Sequence, residues 1–224
     1  ADGWMPDRVT TDGLAVYAAG IAAAPVGEAN LDNTPFLIFT VDSLSRRMDP
    51  EAFLPLFTEW EADLEQGLFL LPIDENGLVY NDVQKPHSPY GFTDTIGKTG
   101  TLYMESLLYY GIKNPDRFAK AAESVERSLS LLFDPAAGAF YAATKDCHQY
   151  DIWGMAYMLY IGFPCSTDEK QAVLSFLGKN YDACVYRGQV RHLLKGQYWE
   201  RRLIDVEPET YQNGAYWATA SGWM

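Results

Sequence analysis

Carboxylates set among aromatic rings are the residues of this chain whose types and spacing could do chemistry. Trp4, Tyr90, Phe92, Tyr150, Trp153, Tyr198, Trp199, Tyr211, Tyr216 and Trp217 fall in or near the stretches that carry Asp32, Asp94, Asp151, Glu207 and Glu209. Breaking a sugar linkage needs one carboxylic acid to protonate the leaving oxygen and one carboxylate to activate water or attack. Their separation is roughly 5–5.5 Å for retention and roughly 6.5–9.5 Å for inversion. Flat rings suit the C–H faces of a sugar, and polar groups such as Asn213 and Arg191 suit its hydroxyls. Each residue also has an ordinary reading. Asp32, Asp94 and Asp151 read as helix caps, Glu207 and Glu209 as solvated loop acids, and the rings as core. The run Arg187 to His192 reads either as two guanidiniums and an imidazole aimed at one place or as a charged edge strand.

Other chemistries lack their parts. The chain has no G-x-G-x-x-G, no Walker loop, no H-E-x-x-H and no G-x-S-x-G. Cys147, Cys165 and Cys184 are widely spaced and odd in number, and the three histidines have no ligand spacing, so neither a disulfide framework nor a metal site is predicted. With 17 basic and 30 acidic residues the net charge is −13, which repels a phosphate backbone. No apolar run approaches the roughly 20 residues of a membrane helix. The expected partner is a carbohydrate, with no cofactor, no nucleic acid and no membrane; the compartment is left open.

The elements that must position these residues follow a repeat. Asn33, Asp94, Asp151 and Asn213 each precede a run of apolar and small residues, at intervals of 61, 57 and 62. Asp or Asn there predicts a helix start, because the side-chain oxygen accepts from free amides of the first turn. Between these lie helices of another character. One opens at Asp49-Pro50 with a stripe of Phe53, Phe57, Trp60 and Leu64, and one at Asn114-Pro115 with Ala122, Val125, Leu129 and Leu132. A third opens with the Ser166-x-x-Glu169 capping box ahead of Val173, Phe176 and Leu177. Ile152 to Phe163 is apolar nearly all round and predicts a buried helix. Leu70–Asn81 and Leu131–Ala142 read as short strand–turn–strand connections, and Cys184–Leu193 reads as strand-like. The expected fold is all-α: helical hairpins in an arc, with short β-hairpins joining outer to inner helices and the polar residues on one face.

Three segments resemble the (α/α)6-barrel glycosidases that include trehalases and the processing α-glucosidase family. Glu28–Phe36 resembles their E-S-G-W-D-[FY]-S segment, and the resemblance places the general acid on Asp32. Leu131–Tyr141 is similar to their L-W-D-x-x-x-G-x-Y turn, and Tyr211–Met224 to Q-W-D-x-P-N-G-W-A-P. Leu31 replaces the Trp, Gln212-Asn213-Gly214-Ala215 stands for P-N-G-W, and the Arg expected after the Asp segment is absent. The resemblance implies hydrolysis of O-glycosidic bonds in a neutral oligosaccharide or glycoside, with Tyr90, Asp94, Asp151, Trp153, Arg191, Tyr211, Asn213 and Trp217 at the sugar site. It puts the catalytic base beyond Met224, or on Glu209 if the chain is complete. The alternatives are a non-catalytic carbohydrate-binding or scaffold fragment of the same fold, and another toroid enzyme such as a polysaccharide lyase. At about 60 residues per hairpin, 224 residues hold about 3.7 units. The expectation is therefore one domain over residues 1–224, an incomplete six-hairpin toroid truncated at its ends, whose flanks are covered by the remaining hairpins or a second copy.

Overall fold

The computed structural model describes residues 5–17, 31, 33–82, 115–143, 147–162 and 165–224. Among these the chain is helix-rich, with small antiparallel sheets. β1 (Arg8–Val9) pairs with β2 (Ala15–Val16) near the start of the chain. α1 (Asn33–Ser45) packs on α2 (Pro50–Phe69). Asn33 is the first helical residue of α1, not its cap, and its side-chain amide donates to the Met5 carbonyl at 3.3 Å.

α2 begins where Asp49-Pro50 requires. The Asp49 carboxylate accepts from the Glu51 amide at 2.8 Å, and Pro50 sits where a missing N–H costs nothing. Phe53, Phe57 and Leu64 bury against Ile38 and Val41 of α1, each contributing roughly 1.5–3 kcal/mol. Trp60 stands at the margin of that contact, more exposed than its place in the stripe implies. α1 buries Ile38 and Val41 yet leaves Phe36, Leu37 and Leu44 facing out.

α3 (Pro115–Leu129) runs into a 3₁₀ turn, and Ala122, Val125, Leu129 and Leu132 are all buried, as the stripe predicts. The hairpin of β3 (Phe133–Asp134) and β4 (Ala139–Phe140) follows. Its turn is built on Asp134, whose Oδ1 accepts from the Ala136 amide and whose Oδ2 accepts from the hydroxyls of Tyr141 at 2.9 Å and Tyr150 at 2.7 Å.

α4 (Ile152–Ile161) is buried on all sides through Met158, then emerges at Tyr160; Gly162, with φ 70°, ends it in a left-handed turn. α5 (Thr167–Lys179) carries the complete capping box: the Glu169 amide donates to Ser166 Oγ at 3.2 Å, and the Ser166 amide donates to Glu169 Oε2 at 2.8 Å. A helical turn, α6 (Tyr181–Cys184), leads into a sheet of β5 (Val185–Tyr186), β6 (Gln189–Arg191) and β7 (Tyr216–Trp217). Leu132, Phe140, Ile152, Met155, Val173, Leu177 and Val190 form one core from α3, the first hairpin, α4, α5 and β6. No described helix is long and apolar enough to cross a membrane.

The fourth repeat unit corrects the sequence reading. No helix starts at Asn213; residues 210–224 form turns around β7. The Asn213 side chain is spent elsewhere, accepting from the Trp199 amide at 2.9 Å and donating to the Val206 carbonyl at 2.9 Å, and Gly214 follows at φ 119°.

Candidate functional site

Arg187 and Gly188 take positive φ values of 49° and 78°, the twist that a two-residue hairpin needs, and so bring β6 back along β5. Arg187 belongs to this turn and is exposed, its guanidinium 5.3 Å from the centre of the neighbouring Tyr186 ring. β6 then pairs with β7, which sets Arg191 opposite Tyr216 and its guanidinium 5.5 Å from the centre of the tyrosine ring. Arg191 is only 1% exposed. Its Nη1 donates to Glu209 Oε2 at 2.7 Å and its Nη2 reaches Oε1 at 3.5 Å, while the Tyr198 hydroxyl donates to Oε1 at 2.8 Å.

Glu209 itself is open to solvent, its side chain 54% exposed. The Arg191 guanidinium, then the Tyr198 hydroxyl, hold its carboxyl below the usual glutamate range, against a smaller upward push from desolvation. The same contact raises the Tyr198 hydroxyl above its ordinary value. Glu209 and Tyr211 are non-glycine residues at φ 63° and 42°, a backbone cost that persists only where surroundings enforce it and that concentrates at functional sites. The enforcement is visible: the Glu209 amide donates to the Asn213 carbonyl at 3.0 Å and the Asn213 amide to the Thr210 carbonyl at 3.0 Å. Gly214 is needed here, because a Cβ would lie 2.9 Å from Arg191 Nη2 and 3.2 Å from the Glu209 nitrogen.

Further aromatic residues lie on the same loop and on β7. The Trp217 indole donates to the Tyr211 carbonyl at 3.0 Å, and the two rings meet edge to face at 5.1 Å. Both are partly exposed, as are Tyr198 and Tyr216. The Trp199 indole, by contrast, is buried and donates to the Gln212 carbonyl at 3.0 Å.

Beneath the loop lies the first turn of α4. Asp151 caps it, accepting from the Gly154 amide at 2.7 Å, and the same Oδ1 is 3.1 Å from His192 Nε2. The imidazole stacks on Trp153 at 4.4 Å and 11° and meets Trp199 edge-on at 4.7 Å. Asp151, His192 and Trp153 are all buried.

Of the residues expected at the site, Arg191, Glu209, Tyr211, Asn213 and Trp217 come together through β6, β7 and the loop between residues 198 and 216. Asn213 sits under that loop with its side chain fully engaged, and Asp151 and Trp153 sit below, against His192. Asp32, Tyr90 and Asp94 lie outside the described residues. The Tyr198 hydroxyl and the Tyr216 ring, both bearing on the Arg191–Glu209 pair, were legible only as aromatics. Nothing in the spacing of residues 191, 198, 209 and 216 announces their convergence. Among the described residues no cluster of three His, Cys, Asp or Glu side chains is placed to hold a metal ion.

No family model matches the sequence, and no curated protein matches it. Two solved structures share its fold. A rhamnosidase from Klebsiella oxytoca, solved with rhamnose bound, superposes on 80% of this chain at a TM-score of 0.58 and 13% identity. A family 88 glycosyl hydrolase from Bacteroides vulgatus superposes on 86% at a TM-score of 0.52 and 13% identity. The chain spans 34% of the first protein's length and 59% of the second's. The fold is thus one found in glycoside hydrolases, at a sequence distance where the likeness speaks for architecture alone.

Proposed function

We propose that this protein is a glycoside hydrolase-like chain acting on O-glycosidic bonds of a neutral oligosaccharide or glycoside. In this reading it is a single domain, an arc of helical hairpins belonging to a six-hairpin toroid. The observation that carries the reading is Glu209: a solvent-open carboxylate held ionised by a buried arginine, on strained backbone, bonded by the Tyr198 hydroxyl, in a loop-and-strand segment that also carries the partly exposed rings of Tyr211, Tyr216 and Trp217. A carboxylate kept charged suits the member of the pair that attacks the anomeric carbon, or takes a proton from the water that does. Asp32, by its resemblance to the glycosidase acid, would give its proton to the leaving oxygen as the glycosidic bond breaks. Tyr90 and Asp94 complete the sugar face in this proposal, while Asp151, Trp153 and Asn213 hold it from below. The test is a panel of aryl glycosides and disaccharides. Glu209→Gln and Asp32→Asn are each expected to lower kcat by about 10²–10⁴-fold with KM little changed. Absence of turnover by the native protein, together with sugar binding unaltered by Asp32→Asn, would overturn the reading.

One observation favours a second reading, a carbohydrate-binding chain without turnover. Both Glu209 carboxylate oxygens already accept hydrogen bonds, an arrangement that suits an acceptor for sugar hydroxyls as well as it suits a reacting group. Calorimetric binding of a sugar by the native protein, lost in Glu209→Gln and unaccompanied by hydrolysis, would select it.

A further inference from the structure

We propose that Asp151 and His192 form a buried positioning pair that holds Arg191, and through Arg191 the Glu209 carboxylate, in place. Only the activity measurement below rests on the hydrolase reading. Capping α4 does not by itself call for an aspartate 1% exposed, since serine, threonine or asparagine caps a helix without burying a charge. Asp151 Oδ2 is buried and has no hydrogen-bond partner among the described residues, so the capping bond leaves half the carboxylate idle. The capping oxygen has a second neighbour, the imidazole of His192, at 3.1 Å from Oδ1 and set between Trp153 and Trp199.

Backbone geometry connects this pair to the site. The His192 carbonyl accepts from the Ile152 amide at 3.0 Å, and the Val190 carbonyl accepts from the Trp153 indole at 3.2 Å. Arg191 is therefore clamped between two residues that are each tied to the first turn of α4. Arg191, the last residue of β6, reaches Glu209, while His192, in the bend that follows, reaches Asp151. Arg191 has little room to compensate for a shift of this segment, because Gly214 lies directly against its guanidinium. Releasing His192 from Asp151 would swing Arg191 and weaken its hold on Glu209.

The measurement is an NMR titration of the Glu209 carboxylate in protein labelled with [13C]glutamate. In the native protein its midpoint lies below the ordinary glutamate value. In His192→Ala the midpoint is expected to move up toward that value, and in His192→Gln, whose amide N–H can stand in for Nε2, to stay low. Leu193→Val, an equally buried neighbour, is expected to leave it unchanged. If His192→Ala fails to fold, Asp151→Ser replaces it, keeping a helix cap while withdrawing the oxygen that reaches His192, with the same upward shift expected. An unmoved midpoint in folded His192→Ala or in the Asp151 variant, or an equal shift in Leu193→Val, would overturn the proposal. On an aryl glycoside, His192→Ala is expected to lower kcat by roughly 10²-fold, the effect of displacing a site group by about 1 Å, and to spare KM. A native protein without turnover would count against the hydrolase reading, and the titration would still decide the positioning pair.

Discussion

Asp134 and Glu209 are both carboxylates held below their ordinary range, both accept tyrosine hydroxyls, and they do different work. Asp134 is lowered first by the Tyr150 hydroxyl and then by that of Tyr141, with backbone amides of its own turn assisting. All its donors are neutral and come from the hairpin or from the residue preceding Asp151, and the two tyrosine rings stack on each other at 5.3 Å. Glu209 is lowered first by a buried guanidinium from a strand 18 residues away, and its own backbone is strained. Asp134 ties a turn using what lies nearby; Glu209 is presented to solvent by a charge brought from β6 and a loop held by Asn213 and Gly214. The comparison teaches that a depressed carboxyl is not itself a sign of a site. The partner's charge, the distance it was brought and the strain accepted in bringing it are the distinguishing features.

The largest way to break the comparison is Arg191→Ala. Removing a buried side chain that carries a ring contact and the packing beneath Gly214 is expected to cost about 2–4 kcal/mol, mostly through lost packing, since the Glu209 carboxylate left behind is solvated. Thermal or urea melts check this, and a loss below about 1 kcal/mol would mean that Glu209 is not anchored as described. A glycine from each region sharpens the contrast at smaller cost. Gly214→Ala, at φ 119° with a Cβ 2.9 Å from Arg191 Nη2, and Gly138→Ala, at φ 72° with a Cβ 3.1 Å from Ala172 Cβ, should each lose roughly 1–3 kcal/mol. Only the Gly214 change should also raise the Glu209 midpoint.

The smallest effect is in the dependence on pH. Both carboxyls are lower in the folded chain than in the unfolded one, so each contributes stability that is present above about pH 4 and lost as pH falls through the folded value. Tyr141 and Tyr150 are raised, so their contribution is present below about pH 10 and lost as pH rises further. Urea midpoints followed from pH 2 to 7 should show a shallower acid loss in both Asp134→Asn and Glu209→Gln than in the native protein. Equal acid slopes in all three would refute the assignment.

Much of the fold could be read along the chain because its signals are local. Asp49-Pro50 and the Ser166–Glu169 box start helices by satisfying amides within three residues. The stripe from Ala122 to Leu132 recurs at helical spacing, and the turns at Asp134 and Gly138 close over a few bonds. The inward face of Ile152 to Met158 follows from its composition. Asn213 was misread as a helix start because the same side chain that caps a helix can bind amides and carbonyls of distant loops, and spacing does not choose between them.

The candidate site was legible in its residue types and not in its assembly. By itself the sequence determined the starts of α2, α3, α4 and α5, the buried stripe of α3, the turn at Asp134 and Gly138 and the presence of carboxylates among aromatics, because each follows from the preferences of neighbouring residues. Only the tertiary structure decided that Arg191 is buried while Arg187 is exposed, that Tyr198 joins Glu209 and Tyr216 joins Arg191, and that Asp151 meets His192. Those partners lie between 11 and 41 residues apart. What brings them together is the pairing of β6 with β7 and the packing of β6 on α4, and the energies that select these contacts are properties of the assembled core.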